Sequence, residues 1–446
     1  MSINRREFLS LCLKGGVSAA ALTSLQLQAL TGSVNAIELG DYKALVCVYL
    51  FGGNDSLNML VPLDGEPRSL YDESRQNLAV GTPITLNTNT VFEGGVGLHP
   101  SLSPIQSTFE ANNLTFVGGV GTLLAPTTLS DYKNKAVSIP KHLFSHNDQQ
   151  ASWMYGREKQ SFNSGWGARL LERLEQHDQF AANISLDGTN LWQTGENTQA
   201  FSLNKSGISK INALSDYQPR AEHVSAMVNR LLNNTNHSLS SAYASKMTSA
   251  IDNTETMNNA LETAPEFITT FSETALSEQF KTVAKTISVQ STLSTQRQVF
   301  FVSLGGFDTH DDQLETHPIL LDTLAKGLSE FDSAMQELGM ADKVTTFTMS
   351  DFGRTLTSNG DGTDHGWAGN QIVMGGAVRG GDIYGELLTQ HVDGPQDIKG
   401  GRLIPKVANE QYFATLAQWF GVPSSELGDI FPNLQYFDNA TLDFLL

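Results

Sequence analysis

The chain has 446 residues and a formal net charge of −19 at pH 7, with 47 acidic against 28 basic residues. A balance this acidic excludes general affinity for nucleic acid, so any anionic ligand has to be met by local cations: a metal, arginines or helix N-termini. Its two cysteines are Cys12 and Cys47, which excludes a disulfide framework and a cysteine-ligated iron–sulfur cluster.

The N-terminus carries Arg5-Arg6, one spacer, then Phe8-Leu9, the pattern of a twin-arginine signal. A weakly apolar stretch from Leu11 to Leu30 follows, interrupted by Lys14, and Val34-Asn35-Ala36 supplies a small-x-Ala cleavage site. These parts in this order read as a targeting peptide over residues 1–36. The expected partner is the twin-arginine translocase, and the expected location is the periplasm or the cell surface. Cleavage would leave residues 37–446, without Arg5, Arg6, Lys14 and Glu7, at a net charge of −21. A membrane span needs about 20 mainly apolar residues; nothing after the leader has them, so no stable membrane insertion is expected.

Ala44–Phe51 is a continuous apolar run rich in β-branched and aromatic residues, the signature of a strand buried on both faces, and it stops at Gly52-Gly53. Leu114–Val117, Val299–Leu304, Val344–Met349 and Gln371–Met374 repeat the pattern, and glycine follows each of them at once or within four residues. Between them, Ile319, Leu320, Leu324, Leu328, Phe331, Met335 and Leu338 recur at helical spacing, as do Tyr412, Phe413, Leu416, Trp419 and Phe420. Strands alternating with helices predict an α/β fold with a mainly parallel central sheet covered on both faces. Residues 205–290, rich in Asn, Ser, Thr and Ala, read as a helical insertion or cap.

In parallel sheets ligands bind beyond the carboxyl ends of the strands. Asp55 follows the first run, Asp308-Thr309-His310 the third and Asp351 the fourth, while Asp364-His365-Gly366 lies in a glycine-rich loop. Carboxylates and imidazoles delivered from separate strand ends can form a mixed oxygen and nitrogen site for a divalent metal, with zinc, calcium, magnesium and manganese all admissible. Each residue also has a plainer reading. Asp55 suits a turn or helix N-cap, and Asp364-His365 a turn. Ser145 is either a nucleophile at a helix N-terminus or a cap, and His146 a ligand, a base or a turn residue. Arg354 is either an anion clamp or the partner of a carboxylate. His177, His223, His237, His317 and His391 read as exposed helix or loop residues.

The motifs at 51–58 (Phe-Gly-Gly-Asn-Asp-Ser-Leu-Asn), 144–146 (Phe-Ser-His), 299–310 (Val-Phe-Phe-Val-Ser-Leu-Gly-Gly-Phe-Asp-Thr-His), 350–355 (Ser-Asp-Phe-Gly-Arg-Thr) and 362–366 (Gly-Thr-Asp-His-Gly) resemble the DUF1501 family. Residues 375–381, 401–405 and 430–433 continue the likeness. The resemblance implies a three-layer αβα sandwich similar to the alkaline phosphatase and sulfatase superfamily. It implies Asp55, Asp308, His310, Asp351 and His365 at a metal site, with Ser145 near the nucleophile's place; the residues themselves add Asp364 to the candidate ligands and His146 and Arg354 to the candidate catalytic groups. Phe352 stands where that superfamily has His or Asn after the aspartate, Asp308-x-His310 is a compressed spacing, and there is no Cys-x-Pro-x-Arg signature. The expected activity is metal-dependent hydrolysis or transfer of phosphate or sulfate esters. The alternative is a non-catalytic envelope binding or assembly protein of the same fold. A redox enzyme is disfavoured, since no Gly-x-Gly-x-x-Gly dinucleotide loop is present.

Overall fold

A computed structural model describes residues 39–157, 164–204, 221–232 and 238–446. The twin-arginine segment lies outside the described residues, as does part of the expected insertion. Asp41–Leu446 forms one unit by its contacts.

In chain order the strands are β1 Lys43–Leu50, β2 Leu60–Pro62, β3 Ile84–Leu86, β4 Val96–Leu98, β5 Leu114–Gly121, β6 Asn183–Ser185, β7 Phe201–Ser202, β8 Arg297–Leu304, β9 Val344–Ser350, β10 Arg354–Ser358, β11 Thr363–His365, β12 Gly369–Met374, β13 Ile383–Gly385 and β14 Val407–Ala408. The central sheet runs β13-β5-β12-β9-β1-β8-β6-β7, with β14 also on β5. Its pairings are parallel except for β12, which is antiparallel to both β5 and β9. No helix intervenes between β9 and β12 to carry the chain back to its starting edge, so β12 must run in the return direction.

The apolar runs become strands because both faces are covered. Ala44, Val46, Val48 and Leu50 join Phe300 and Val302 on one face, under Phe280 and Val283 of the helix Ala275–Ser288 and Leu324 and Leu328 of the helix Gln313–Glu337. On the other face Trp166 stacks 4.7 Å from Phe413 and lies 5.5 Å from Phe347 of β9. The result is three layers, αβα. Each such buried apolar side chain stabilises the fold by about 1.5–3 kcal/mol.

The stretch expected as a surface cap divides in two. The helix Ser238–Glu262 buries few side chains, among them Met257 and Ala260, whereas Ala275–Ser288 sinks Leu276, Phe280, Val283 and Ile287 into the core. Phe280 stacks on Phe331 at 4.8 Å, so this second helix belongs to the covering layer.

β1 sits between β8 and β9, and Leu50 pairs in register with both Leu304 and Ser350. Three parallel strands therefore end level with one another. Whatever follows each of them is delivered to one edge of the sheet.

Candidate metal centre at the strand ends

The three segments cross at Gly52. Phe307 N–H donates to Phe51 O at 3.1 Å, and a Cβ on Gly52 would stand 2.3 Å from Asp308 N. Its φ of +115° lies where glycine alone is unstrained. The same residue donates its N–H to Asp351 Oδ2 at 3.3 Å and accepts from Arg354 Nη1 at 3.3 Å. One glycine thus fixes the relative places of Asp308, Asp351 and Arg354.

Around this crossing, His146, Asp308 and His365 each offer a ligand atom within 4.8 Å of the others. His146 opens the helix His146–Tyr155, and its Nδ1 bonds Asp351 Oδ2 at 2.6 Å. His365 ends β11 and donates Nδ1–H to Phe144 O at 2.8 Å. Both hydrogen bonds consume Nδ1, so in the neutral rings both lone pairs reside on Nε2. His146 Nε2 lies 3.4 Å from Asp308 Oδ2, and His365 Nε2 lies 3.3 Å from Asp308 Oδ1. His310 Nε2 approaches as well, 3.1 Å from Asp308 Oδ1 and 2.9 Å from His365 Nε2. Donor atoms bound tetrahedrally at 2.0–2.1 Å are roughly 3.3 Å apart, so these separations suit the ligand edges of a divalent ion.

The protonation states suit it too. Burial raises the pKa of Asp308, but the Arg354 hydrogen bond and charge, with His146 and His310, outweigh that and hold it below the usual carboxylate range. Burial lowers the pKa of His365, keeping the imidazole in its neutral, ligating form. Asp351 is fully buried, and burial raises its pKa despite hydrogen bonds from His146, Gln150 Nε2 at 3.0 Å and Gly52. Phe352 packs against both rings, with centroids 4.9 Å from His146 and 4.5 Å from His365, while the two imidazoles meet edge to face at 4.5 Å. A Cβ on Gly53 would collide with it at 2.4 Å.

The remaining expected residues stand beside this cluster or away from it. Asp55 is fully buried in an ion pair with the equally buried Arg75 and accepts from Gln313 Nε2, so its Oδ2 is spoken for inside the fold. Arg354 is fully buried and bonds Asp308 Oδ1 at 2.6 Å, Thr363 Oγ1 at 3.1 Å and Thr363 O. It is the carboxylate partner of the two readings offered for it. Ser145 occupies the N-cap position, but its hydroxyl donates to Asp148 Oδ2 at 2.7 Å. Asp364 is half exposed, 3.6 Å from His310 Nδ1. His317, read as exposed, is instead buried, with Nε2 3.0 Å from Asn54 Oδ1.

A family model described as a protein of unknown function, DUF1501, matches residues 42–397. The chain belongs to the DUF1501 family. No curated protein matches it. Among solved structures, this DUF1501 chain is similar to Ps i-CgsB in complex with k-i-k-neocarrahexaose, at 10% identity and a TM-score of 0.39, over 90% of this chain and 78% of that one. It is similar to the soluble domain of lipooligosaccharide phosphoethanolamine transferase A from Neisseria meningitidis, at 9% identity and a TM-score of 0.33, over 86% and 89% of the two chains. It is also similar to BT1596, a 2-O GAG sulfatase, at 9% identity and a TM-score of 0.30, over 88% and 75%.

Within the DUF1501 fold, sequence reasoning missed Gln150, Arg75 and the distinct places of His146 and Asp351. Gln150 was recoverable: it lies one helical turn beyond His146, on the same face, and both reach Asp351. Arg75 was not, since nothing local to the helix Gly65–Arg75 marks its last residue as the partner of Asp55.

Proposed function

We propose that this DUF1501 protein binds a divalent metal through His146, Asp308 and His365, with His310 as a neighbouring donor, and acts on phosphate or sulfate esters. One observation carries the reading: both ring Nδ1 atoms are tied, to Asp351 and to Phe144 O, leaving two Nε2 lone pairs facing one ionised carboxylate. In this arrangement Asp351 stands behind His146 and sets its tautomer and orientation, as carboxylates do behind metal-ligating histidines. The ion, when bound, supplies Lewis acidity toward an ester oxygen. Phe352 backs the pair of imidazoles with an apolar face. Arg354 holds Asp308 by one oxygen and leaves Oδ2 toward His146. Residues 1–36 complete the proposal as a twin-arginine signal that takes 37–446 to the periplasm or cell surface.

The test is metal content followed by turnover. Purified protein titrated with Zn²⁺ or Mn²⁺ is expected to take up metal stoichiometrically, and His146→Ala to weaken uptake by at least about a hundredfold. The loaded protein is expected to cleave p-nitrophenyl phosphate, its diester or the sulfate. Absence of metal uptake overturns the proposal. Uptake without turnover leaves a second reading, a metal-bound envelope binding protein, which the engagement of the Ser145 hydroxyl by Asp148 favours. Replacing Arg5-Arg6 by two lysines is expected to abolish export, seen by fractionation.

A further inference from the structure

The one arginine expected to hold an anion, Arg354, is fully buried and spends its donors on Asp308, Thr363 and Gly52. An anionic ester brought to a chain this acidic still needs a fixed cation beside the metal. Residues 401–405, Gly-Arg-Leu-Ile-Pro, bring a second arginine, Arg402, against His365.

Arg402 donates Nε–H to the main-chain oxygen of His365 at 2.9 Å and lays its guanidinium 5.3 Å from the ring centroid of Phe144. Those two residues are also joined by the His365 Nδ1–H bond to Phe144 O. Arg402 therefore rests on the two segments that present His146 and His365. Its η nitrogens are left almost unengaged: Nη1 reaches Lys399 O at 3.4 Å, and Nη2 faces Asp364 Oδ2 at 4.0 Å, too far for a hydrogen bond. The side chain is 28% exposed, whereas that of Arg354 is 0% exposed. A guanidinium fixed at Nε and by its face, with its η donors open, is arranged to take two oxygens of a tetrahedral oxyanion.

We propose that Arg402 is the substrate-binding cation of this site, holding the phosphoryl or sulfuryl oxygens of an ester whose reacting group lies at the metal. The assignment rests on the metal reading of the preceding subsection. Its test therefore separates the two. Zinc uptake is measured first, in the full chain and in Arg402→Gln and Arg402→Lys. Inorganic phosphate is then titrated calorimetrically into each zinc-loaded protein. Wild type and both variants are expected to take up zinc alike. Phosphate affinity is expected to fall roughly ten- to a hundredfold in Arg402→Gln, the loss of one or two charge-assisted hydrogen bonds, and to recover in part in Arg402→Lys. Wild-type protein that takes no zinc overturns the metal centre and this proposal with it. Equal phosphate affinity in wild type and Arg402→Gln overturns the proposal and leaves the metal centre standing. Loss of zinc uptake in both variants also overturns it, by making Arg402 a staple between the 144 and 365 segments.

Discussion

Asp55 and Asp308 both stand just past the ends of paired parallel strands, β1 and β8, and the fold treats them in opposite ways. Asp55 is sealed: its side chain and that of Arg75 are both 0% exposed, and Gln313 completes the enclosure. Asp308 is 44% exposed, with Arg354 on one oxygen and His146 turned toward the other. An acid after a strand is thus no evidence of a ligand by itself. Each has one oxygen held by an arginine, Asp55 Oδ2 by Arg75 and Asp308 Oδ1 by Arg354; what differs is that the other oxygen of Asp55 is shut inside the fold, whereas that of Asp308 faces His146 at the surface. The sealed region is a structural joint, and the open one is the place where we propose that an ion binds.

The strongest way to break this contrast is to remove the cation from the sealed acid. Arg75→Ala is expected to cost about 3–5 kcal/mol in urea unfolding, the cost of stranding a buried charge. Metal affinity of the folded variant is expected to be unchanged; a folded Arg75→Ala protein that no longer takes metal would place Asp55 in the centre after all.

Next comes pH. Burial pushes His99 and His317 down to about 4, while Asp55 pulls the other way on both. A histidine depressed in the folded state contributes stability that is present above its unfolded pKa, about 6.5, and is lost as pH falls through 4. Each is expected to remove about 3 kcal/mol by pH 4. His317→Gln should shed one such share, read as a shallower decline in unfolding free energy between pH 6.5 and 4. Identical slopes in the two proteins would remove His317 from the sealed network's titration.

The open region is sharpened by Asp351→Asn. If Asp351 orients His146 from behind, metal affinity falls about ten- to a hundredfold while the stoichiometry holds. The sign of the stability change is also set. Burial raises the Asp351 pKa, so its ionised form costs stability at neutral pH and the variant should be no less stable there. Loss of a whole equivalent of metal would make Asp351 a ligand. The smallest effect is expected from Gln150→Ala, which removes one hydrogen bond to Asp351 and should weaken metal binding by about fivefold, near 1 kcal/mol.

The five long strands were legible because burial on both faces writes an unbroken apolar run. β12 was legible as a strand but not in direction, since direction depends on what connects it to β9. The helix that starts at Gln313 shows its apolar periodicity only from Ile319, because Pro318 and polar neighbours hide its first turns. Those hidden turns concealed His317. Counted from Gln313, it lies one turn further along the same face, and the two side chains close over Asp55 and Asn54. Asp308, His310 and His365 could be gathered from their motifs. The places of His146 and Asp351 could not be told apart, since which of two hydrogen-bonded side chains stands in front depends on helix orientation. Phe352, noted in the sequence as a departure from the His or Asn that the resemblance implies, lies against the rings of both His146 and His365.

Gly52 bonds Asp351 across 299 residues of chain and Arg354 across 302, and His146 meets Asp351 across 205. Contacts of such range come late, after loop closure has been met by earlier packing. A chain folded in any one part therefore has no centre to offer, and an ion added during refolding should find its place only as the last segments close. Capture of the ion at full affinity would count finished molecules. An ion held there would act as a latch, favouring the completed chain over every partly folded form that lacks the crossing at Gly52.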